Sequence, residues 1–392
     1  MKTRTVQLSA VCEFIRGVTF DKADATTRPE VGKTPVLRAG NIGEELDAQN
    51  DLVWVPDAQV SDEQRLRQND IAICMSSGSP EVVGKTARVP CNLRASIGSF
   101  CGIIRPKSPD EASYLSFYFR SVEFRKHRNA IARGANIQNL RFSQFEKIEL
   151  AIPSEQQRIA ERLEQADRLV RTRRYALKLT DTFLPAAFIE LFGDPVKNER
   201  GWPTDILEAV ATKITDGEHL NPKFVQRGFP IVMAEQVDDW GVSLDSCKCV
   251  SADDFRKFIS KCEPEQRDIL IVSRGATIGR TCVVNTKHPF CLMGSVILIK
   301  PDSNAVNPYF LSTLLKSASF LRVLRTTSGA SAQQAIYIAH LKDKVVVVPP
   351  LTLQQKFAAL VERVERLRAV QREALRQAEH LFASLLDRAF SA

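Results

Sequence analysis

No stretch of this 392-residue sequence stays apolar for the roughly 18 residues that a membrane-spanning helix needs, so insertion into a bilayer is not expected. The basic start Met1-Lys-Thr-Arg lacks the sustained apolar segment and small-residue cleavage site of a secretory leader, which points to the cytoplasm. Nine cysteines, an odd number at irregular spacings, include no CxxC pair; a reducing compartment explains them better than a disulfide framework. Cys247, Cys249, Cys262 and His288 match no zinc-finger spacing, and buried thiols are expected instead of a metal site. Histidine is scarce, at five residues, and none falls in a triad or ligand spacing.

Nucleotide and methyl-transfer signatures are also missing. Five residues separate Gly78 from Gly84 where a phosphate-binding loop requires four, and Gly275-Ala-Thr-Ile-Gly-Arg-Thr has only three. Asn307-Pro-Tyr-Phe lacks the second proline of the motif with which amino-methyltransferases hold a target amine, and no glycine-rich cofactor motif accompanies it. It reads as a helix start, with Asn307 as cap and Pro308 at the first position. No catalytic constellation is left, so a non-enzymatic role is expected.

What is present is a soluble composition, 44% hydrophobic and 26% charged, in a chain long enough for two domains. The net charge of +8 suits a polyanionic partner, but its location says more than its size. From Arg120 to Arg141 lie Arg120, Arg125, Lys126, Arg128, Arg133 and Arg141, with Glu123 the only acid. Lys316, Arg322 and Arg325 form a second stretch without acids.

These two stretches are equivalent, because the chain is written twice at an offset close to 196 positions. Leu8, Ala10, Val11 and Ile15 answer to Leu207, Ala209, Val210 and Ile214, a short amphipathic opening. Asn69-Asp-Ile-Ala-Ile-Cys74 and Val83-Gly-Lys-Thr-Ala-Arg-Val89 answer to Arg267-Asp-Ile-Leu-Ile-Val272 and Ile278-Gly-Arg-Thr-Cys-Val-Val284, each pair predicting a hairpin. Ile97-Gly-Ser to Pro106 matches Met293-Gly-Ser to Pro301, and Tyr114 to Phe124 matches Phe310 to Phe320 as a single helix. A polar glycine-containing loop follows in each copy, Ala132 to Asn139 and Thr327 to Gln334, then a strand that ends at Pro153 or Pro349.

Beyond each proline the chain turns into a long charged helical stretch without glycine. Ile159, Leu163, Ala166, Val170, Leu177 and Leu184 lie on one seam, interrupted by the polar Arg173 and Thr180; Phe357, Val361, Val364, Leu375, Ala378, Phe382 and Leu385 form a broad stripe. Mutual antiparallel pairing is preferred over each helix covering only its own domain, since an exposed stripe of that length invites aggregation.

A recognition domain, a helix opening with Ile152-Pro-Ser-Glu-Gln-Gln-Arg-Ile-Ala, its closure at Leu191-Phe-Gly-Asp-Pro, then a second domain with Gly275-Ala-Thr-Ile-Gly and a second helix: this layout resembles the specificity subunits of Type I restriction-modification systems over essentially the whole chain. Two departures stand out, Leu353 where the first copy has Glu155, and the longer Ser77 to Gly84 loop. The resemblance implies an α+β fold of two similar target-recognition domains, 1–152 and 196–349, joined by antiparallel coiled-coil helices, 153–195 and 350–392, in a pseudo-twofold duplication. It implies double-stranded DNA as ligand, two methyltransferase subunits holding S-adenosylmethionine, and restriction subunits using ATP and Mg2+, with no cofactor in this chain.

Bases are read by Arg, Lys, Asn, Gln and Ser side chains, so the polar loops supply the candidates. Arg133, Asn136, Gln138, Asn139 and Arg141 are expected in the first domain, and Arg325, Ser328, Gln333 and Gln334 in the second. Ser76, Ser77 and Lys85, with Ser273, Arg274 and Arg280, form a second tier on the hairpin loops. Helices of roughly 30 residues, about 45 Å long, would act as a ruler between the parts of a split, asymmetric site. Arg158, Arg162, Arg168, Arg171 and Arg174 offer a docking face for partner subunits. Two other readings stay open on the residues alone: a stand-alone duplicated DNA-binding protein such as a repressor, and a coiled-coil scaffold that never touches DNA.

Overall fold

The computed structural model describes residues 3–79, 81–133, 140–326 and 335–391, without the side chains of 132, 133 and 326. Two compact units divide the chain: Met1–Arg173 with Ala374–Ala392, and Arg174–Glu373. Each unit therefore contains part of both long helices, Gln156–Phe192 and Leu351–Phe390, termed here central and C-terminal. Among the described residues no helix is long and apolar enough to cross a membrane.

The first unit is built on a four-stranded antiparallel sheet in the order Cys12–Arg16, Cys101–Pro106, Ile71–Cys74, Thr86–Arg88. The second repeats it as Ala211–Asp216, Val296–Pro301, Ile269–Val272, Thr281–Val283. Both expected hairpins form. Every residue of Ile71–Cys74 and Ile269–Val272 is buried because both sheet faces are covered. Alternate side chains point to opposite faces, so Ile71 and Ile73 join the cluster that contains helical residues, while Ala72 and Cys74 join another beneath a smaller sheet. Ile269 and Ile271 are separated from Leu270 and Val272 in the same way. Each smaller sheet has three strands, Val53–Pro56, Lys33–Leu37 and Ser96–Ile97 in the first unit, Lys248–Val250, Phe229–Val232 and Cys291–Leu292 in the second. Six of the nine cysteines are buried in these cores.

The helix expected from Tyr114 to Phe124 is two helices, Pro109–Tyr118 and Val122–Arg133, and the second copy likewise has Pro308–Leu315 and Ala318–Thr326. The break is a capping event: Ser121 Oγ accepts from Phe124 N at 3.1 Å, and Ser317 Oγ from Phe320 N at 3.4 Å. Asn307 caps its helix as expected, accepting from Tyr309 N at 2.9 Å.

The central helix continues through Pro185, whose ring removes one backbone hydrogen bond, because Leu184, Phe188 and Phe192 are buried at helical spacing. Phe192 lies 4.7 Å from Phe310 and 5.6 Å from Phe357, ring to ring. Gly193, with φ +75°, ends the helix by donating to Ile189 O at 2.8 Å. In the second unit Phe188 and Phe192 meet Phe357 while Thr180 and Asp181 meet Arg368, so the two helices run antiparallel. They also cover domain cores: Ala160, Leu163, Leu386 and Phe390 close that of the first unit. Pairing and coverage are thus one arrangement.

Candidate nucleic-acid interface

In each unit the hairpin loop meets the residues that follow the polar segment, far apart from it in sequence. Leu140, the first described residue after the 134–139 segment, donates its N–H to Met75 O at 2.8 Å, beside Ser76 and Ser77. In the second unit Ile336 N donates to Ser273 O at 2.9 Å, and Arg274 forms a bridge with Ala335. Backbone pairing therefore sets Leu140, the neighbour of Arg141, beside Ser76 and Ser77, and sets Ala335 and Ile336 beside Ser273 and Arg274.

A glycine shapes each hairpin turn. Gly84 (φ +79°) and Gly279 (φ +86°) occupy the left-handed region, and a Cβ there would meet Arg128 Cδ at 2.2 Å or Leu321 Cδ2 at 2.7 Å. The neighbouring helix, which leads into the polar loop, is thereby packed onto the turn. Arg128 Nη1 donates to Val83 O at 3.4 Å, and burial, followed by the nearby Arg125 charge, lowers its pKa.

Lys85, Arg141, Arg274 and Arg325 are exposed, and Ser76, Ser77 and Arg280 are half-buried. Ser77 Oγ accepts from Ser79 N at 3.2 Å, and Arg280 Nη1 donates to Val237 O at 3.4 Å. Ser273 is buried, and its hydroxyl is directed at Gly294 O, 3.5 Å away, rather than at the surface. Asn136, Gln138, Asn139, Ser328, Gln333 and Gln334 lie outside the described residues, as does the Arg133 side chain.

The cationic stripe is less uniform than its sequence. Arg120 Nη2 is 2.8 Å from Asp167 Oδ1, and its guanidinium lies over Phe117 and Phe382, so it belongs to the contact with the helices. Lys126 pairs with Glu123 at 3.1 Å, while Arg125 is exposed. Among the arginines of the central helix, Arg158 pairs with Glu155, and Arg171 with both Asp167 and Glu45. Among the described residues no group of three or more His, Cys, Asp or Glu side chains is placed to hold a metal ion.

One element escaped sequence reasoning. The helix Ala252–Lys261 occurs in the second unit, where the corresponding part of the first has short turns at Asp57–Gln59 and Asp62–Gln64. Its signal was present: Ser251 three residues before Asp254 caps it at 3.1 Å, and Phe255 and Phe258 fall on one face. It carries Arg256, Lys257 and Lys261, so the copies differ in charge close to the smaller sheet.

Comparison with known proteins agrees with the duplicated geometry. The Type I restriction modification DNA specificity domain is matched at residues 2–179 and again at 204–380. The chain is 29% identical over 413 aligned positions to the Type I restriction enzyme StySPI specificity subunit of Salmonella potsdam, covering 98% of this chain and 88% of that one. It is 26% identical to the EcoKI specificity subunit of Escherichia coli K12, covering 98% and 87%. In fold it is similar to the Type I restriction-modification S subunit of M. genitalium, with a TM-score of 0.61 at 16% identity over 100% of this chain and 96% of that one. The chain belongs to the Type I restriction-modification DNA specificity family, and it carries two copies of the family's domain.

Proposed function

We propose that this chain selects the DNA sequence for a Type I restriction-modification assembly, each unit reading one part of a split, asymmetric target. One observation carries the reading: the two units keep the same sheet order, the same glycine turn and the same backbone pairing beside it, yet carry different side chains on the hairpin loops, Ser76, Ser77 and Lys85 in one and Arg274 and Arg280 in the other. A shared framework with divergent edges is what two unlike half-sites require. Arg141, Ser76, Ser77 and Lys85, with Arg133, Asn136, Gln138 and Asn139, serve the first half. Arg274, Arg280 and Arg325, with Ser328, Gln333 and Gln334, serve the second, while the inward-turned Ser273 does not.

The central helix has 37 residues, about 55 Å at 1.5 Å per residue, and the helix pair sets the length of the unread spacer. Methyltransferase subunits, two per chain, dock on the helices and bring S-adenosylmethionine; restriction subunits bring ATP and Mg2+. This chain contributes selection and no chemistry, and it works in the cytoplasm beside the DNA it surveys.

The test is to co-express the chain with its methyltransferase and to map methylated bases in the host genome. A split, asymmetric methylated motif that disappears on deletion of this chain is expected. An unchanged methylation map, together with tight sequence-specific binding by the chain alone, would overturn the reading in favour of a stand-alone DNA-binding protein.

A further inference from the structure

A charge sits where the helix seam of the second unit calls for an apolar residue. Arg368 follows Val361 and Val364 on the stripe and is only 4% exposed. Its Nη1 donates to Thr180 Oγ1 at 2.8 Å, and its Nη2 lies 2.7 Å from Asp181 Oδ1. The Arg368 Cζ stands 3.6 Å from the ring centroid of Trp240. Trp240 is at the tip of the hairpin formed by Val237–Asp238 and Gly241–Val242, the same hairpin whose Val237 carbonyl receives Arg280. Lys316 completes the cluster, with Nζ 4.7 Å from the Trp240 ring and 3.1 Å from Asp239 O. Burial pushes the Lys316 pKa down and that of Glu365 up, and Glu365 Oε1 remains 3.7 Å from Arg368 Nε.

Burying such a group costs desolvation that a leucine would avoid, so stability alone does not account for it. A planar guanidinium held between a hydroxyl, a carboxylate and an aromatic face accepts one geometry, whereas apolar seam contacts tolerate sliding. The first unit uses the same three chemistries with two roles exchanged: the cation Arg120 comes from the recognition domain and the aromatic Phe382 from the helix, while Asp167 of the central helix supplies the acid.

We propose that Arg368 and Trp240 are positioning residues, which hold the Val237–Val242 hairpin, and through Arg280 the adjoining reading loop, at one station on the helices of their own unit. The second half-site is then read at one distance only. The inference rests on the sequence-selecting role proposed above.

The full-length chain, assembled with its methyltransferase subunits, is given duplexes whose spacer is correct, one base pair longer or one shorter. Trp240→Ala leaves the seam intact, and the double variant Arg368→Met with Glu365→Gln removes the two buried charges that the C-terminal helix itself contributes. Both should lose about ten-fold in discrimination between spacers while discrimination at the first half-site is unchanged, and Trp240→Phe should restore most of it. Folded variants that discriminate spacers as well as the parent would overturn the proposal. If the parent assembly itself shows no sequence dependence, the sequence-selecting role fails, and amide exchange decides the positioning separately. Exchange across 237–242 should rise about ten-fold in both variants, and unchanged protection there would refute it.

Discussion

Arg105 donates two hydrogen bonds of 2.8 Å to the two carboxylate oxygens of Asp70, and both side chains are buried. The second copy places Lys300 at 2.8 Å from Asp268 in the equivalent position, with Glu265 as a further partner at 2.7 Å. Each pair ties the central strand's start to the end of the neighbouring strand. Arg105→Met should cost about 3–5 kcal/mol, because it strands the Asp70 charge inside the protein. Lys300→Met should cost less, since Asp268 already resists ionisation through burial, offset by Lys300. Urea midpoints of the two variants, followed with a probe local to each unit, give the comparison.

Residue 267 offers a gain. Asn69 (φ 72°) and Arg267 (φ 79°) hold the same left-handed position in the two copies. Asparagine adopts it at lower cost than arginine, so Arg267→Asn should stabilise the second unit by roughly 0.5–1 kcal/mol despite losing a surface pair with Glu362. A thermal melt that moved down would contradict this.

At the turns, Gly279→Ala should destabilise by about 1–2 kcal/mol, because it adds left-handed strain to a contact with Leu321. It should also weaken DNA binding by displacing Arg274 and Arg280, which can be measured separately by titration at a temperature where the variant is folded.

Acid should loosen the first unit through Glu164. Burial raises its pKa, but hydrogen bonds from Arg88 and Ser113 and the charges of Arg88 and Arg168 outweigh this and leave it below the usual 4.5. A depressed carboxylate pKa stabilises above the unfolded value and loses that contribution as pH falls through the folded one. Glu164→Gln should therefore lower the urea midpoint at neutral pH, by an amount that shrinks as the pH falls below the usual 4.5.

For DNA, Lys85→Ala and Arg274→Ala should each lower affinity and reduce the slope of log affinity against log salt by about one if they touch phosphate. Arg141→Ala should relax the first half-site alone, by about 1–3 kcal/mol at the base concerned. Competition binding with half-site variants separates these outcomes.

The duplication, the hairpins, the antiparallel helices and the family were legible because they rest on ordered patterns that local chemistry enforces. Side-chain destinations were not. Ser121 looked like any helical serine until its hydroxyl proved to cap a second helix, and Arg120 counted as surface charge until Asp167 and Phe382 claimed it. Ser273 shared a loop with Arg274, yet the alternation of a strand end turned one inward and left the other exposed. The smaller sheets went unread because their strands are short and their pairing is distant, as between Leu37 and Ile97.

The division of the chain into Met1–Arg173 with Ala374–Ala392, and Arg174–Glu373, inverts the usual order of manufacture. A ribosome delivers the first 173 residues early, but the core they belong to is sealed by Leu386 and by Phe390, whose ring lies 4.9 Å from Tyr114 and 5.7 Å from Tyr118. The uninterrupted second unit is complete in sequence before that seal is made. The half of the protein synthesised first thus cannot close its core until the end of the chain has been made, and a nascent chain stalled short of Leu386 lacks the side chains that cover one face of Tyr114 and Tyr118.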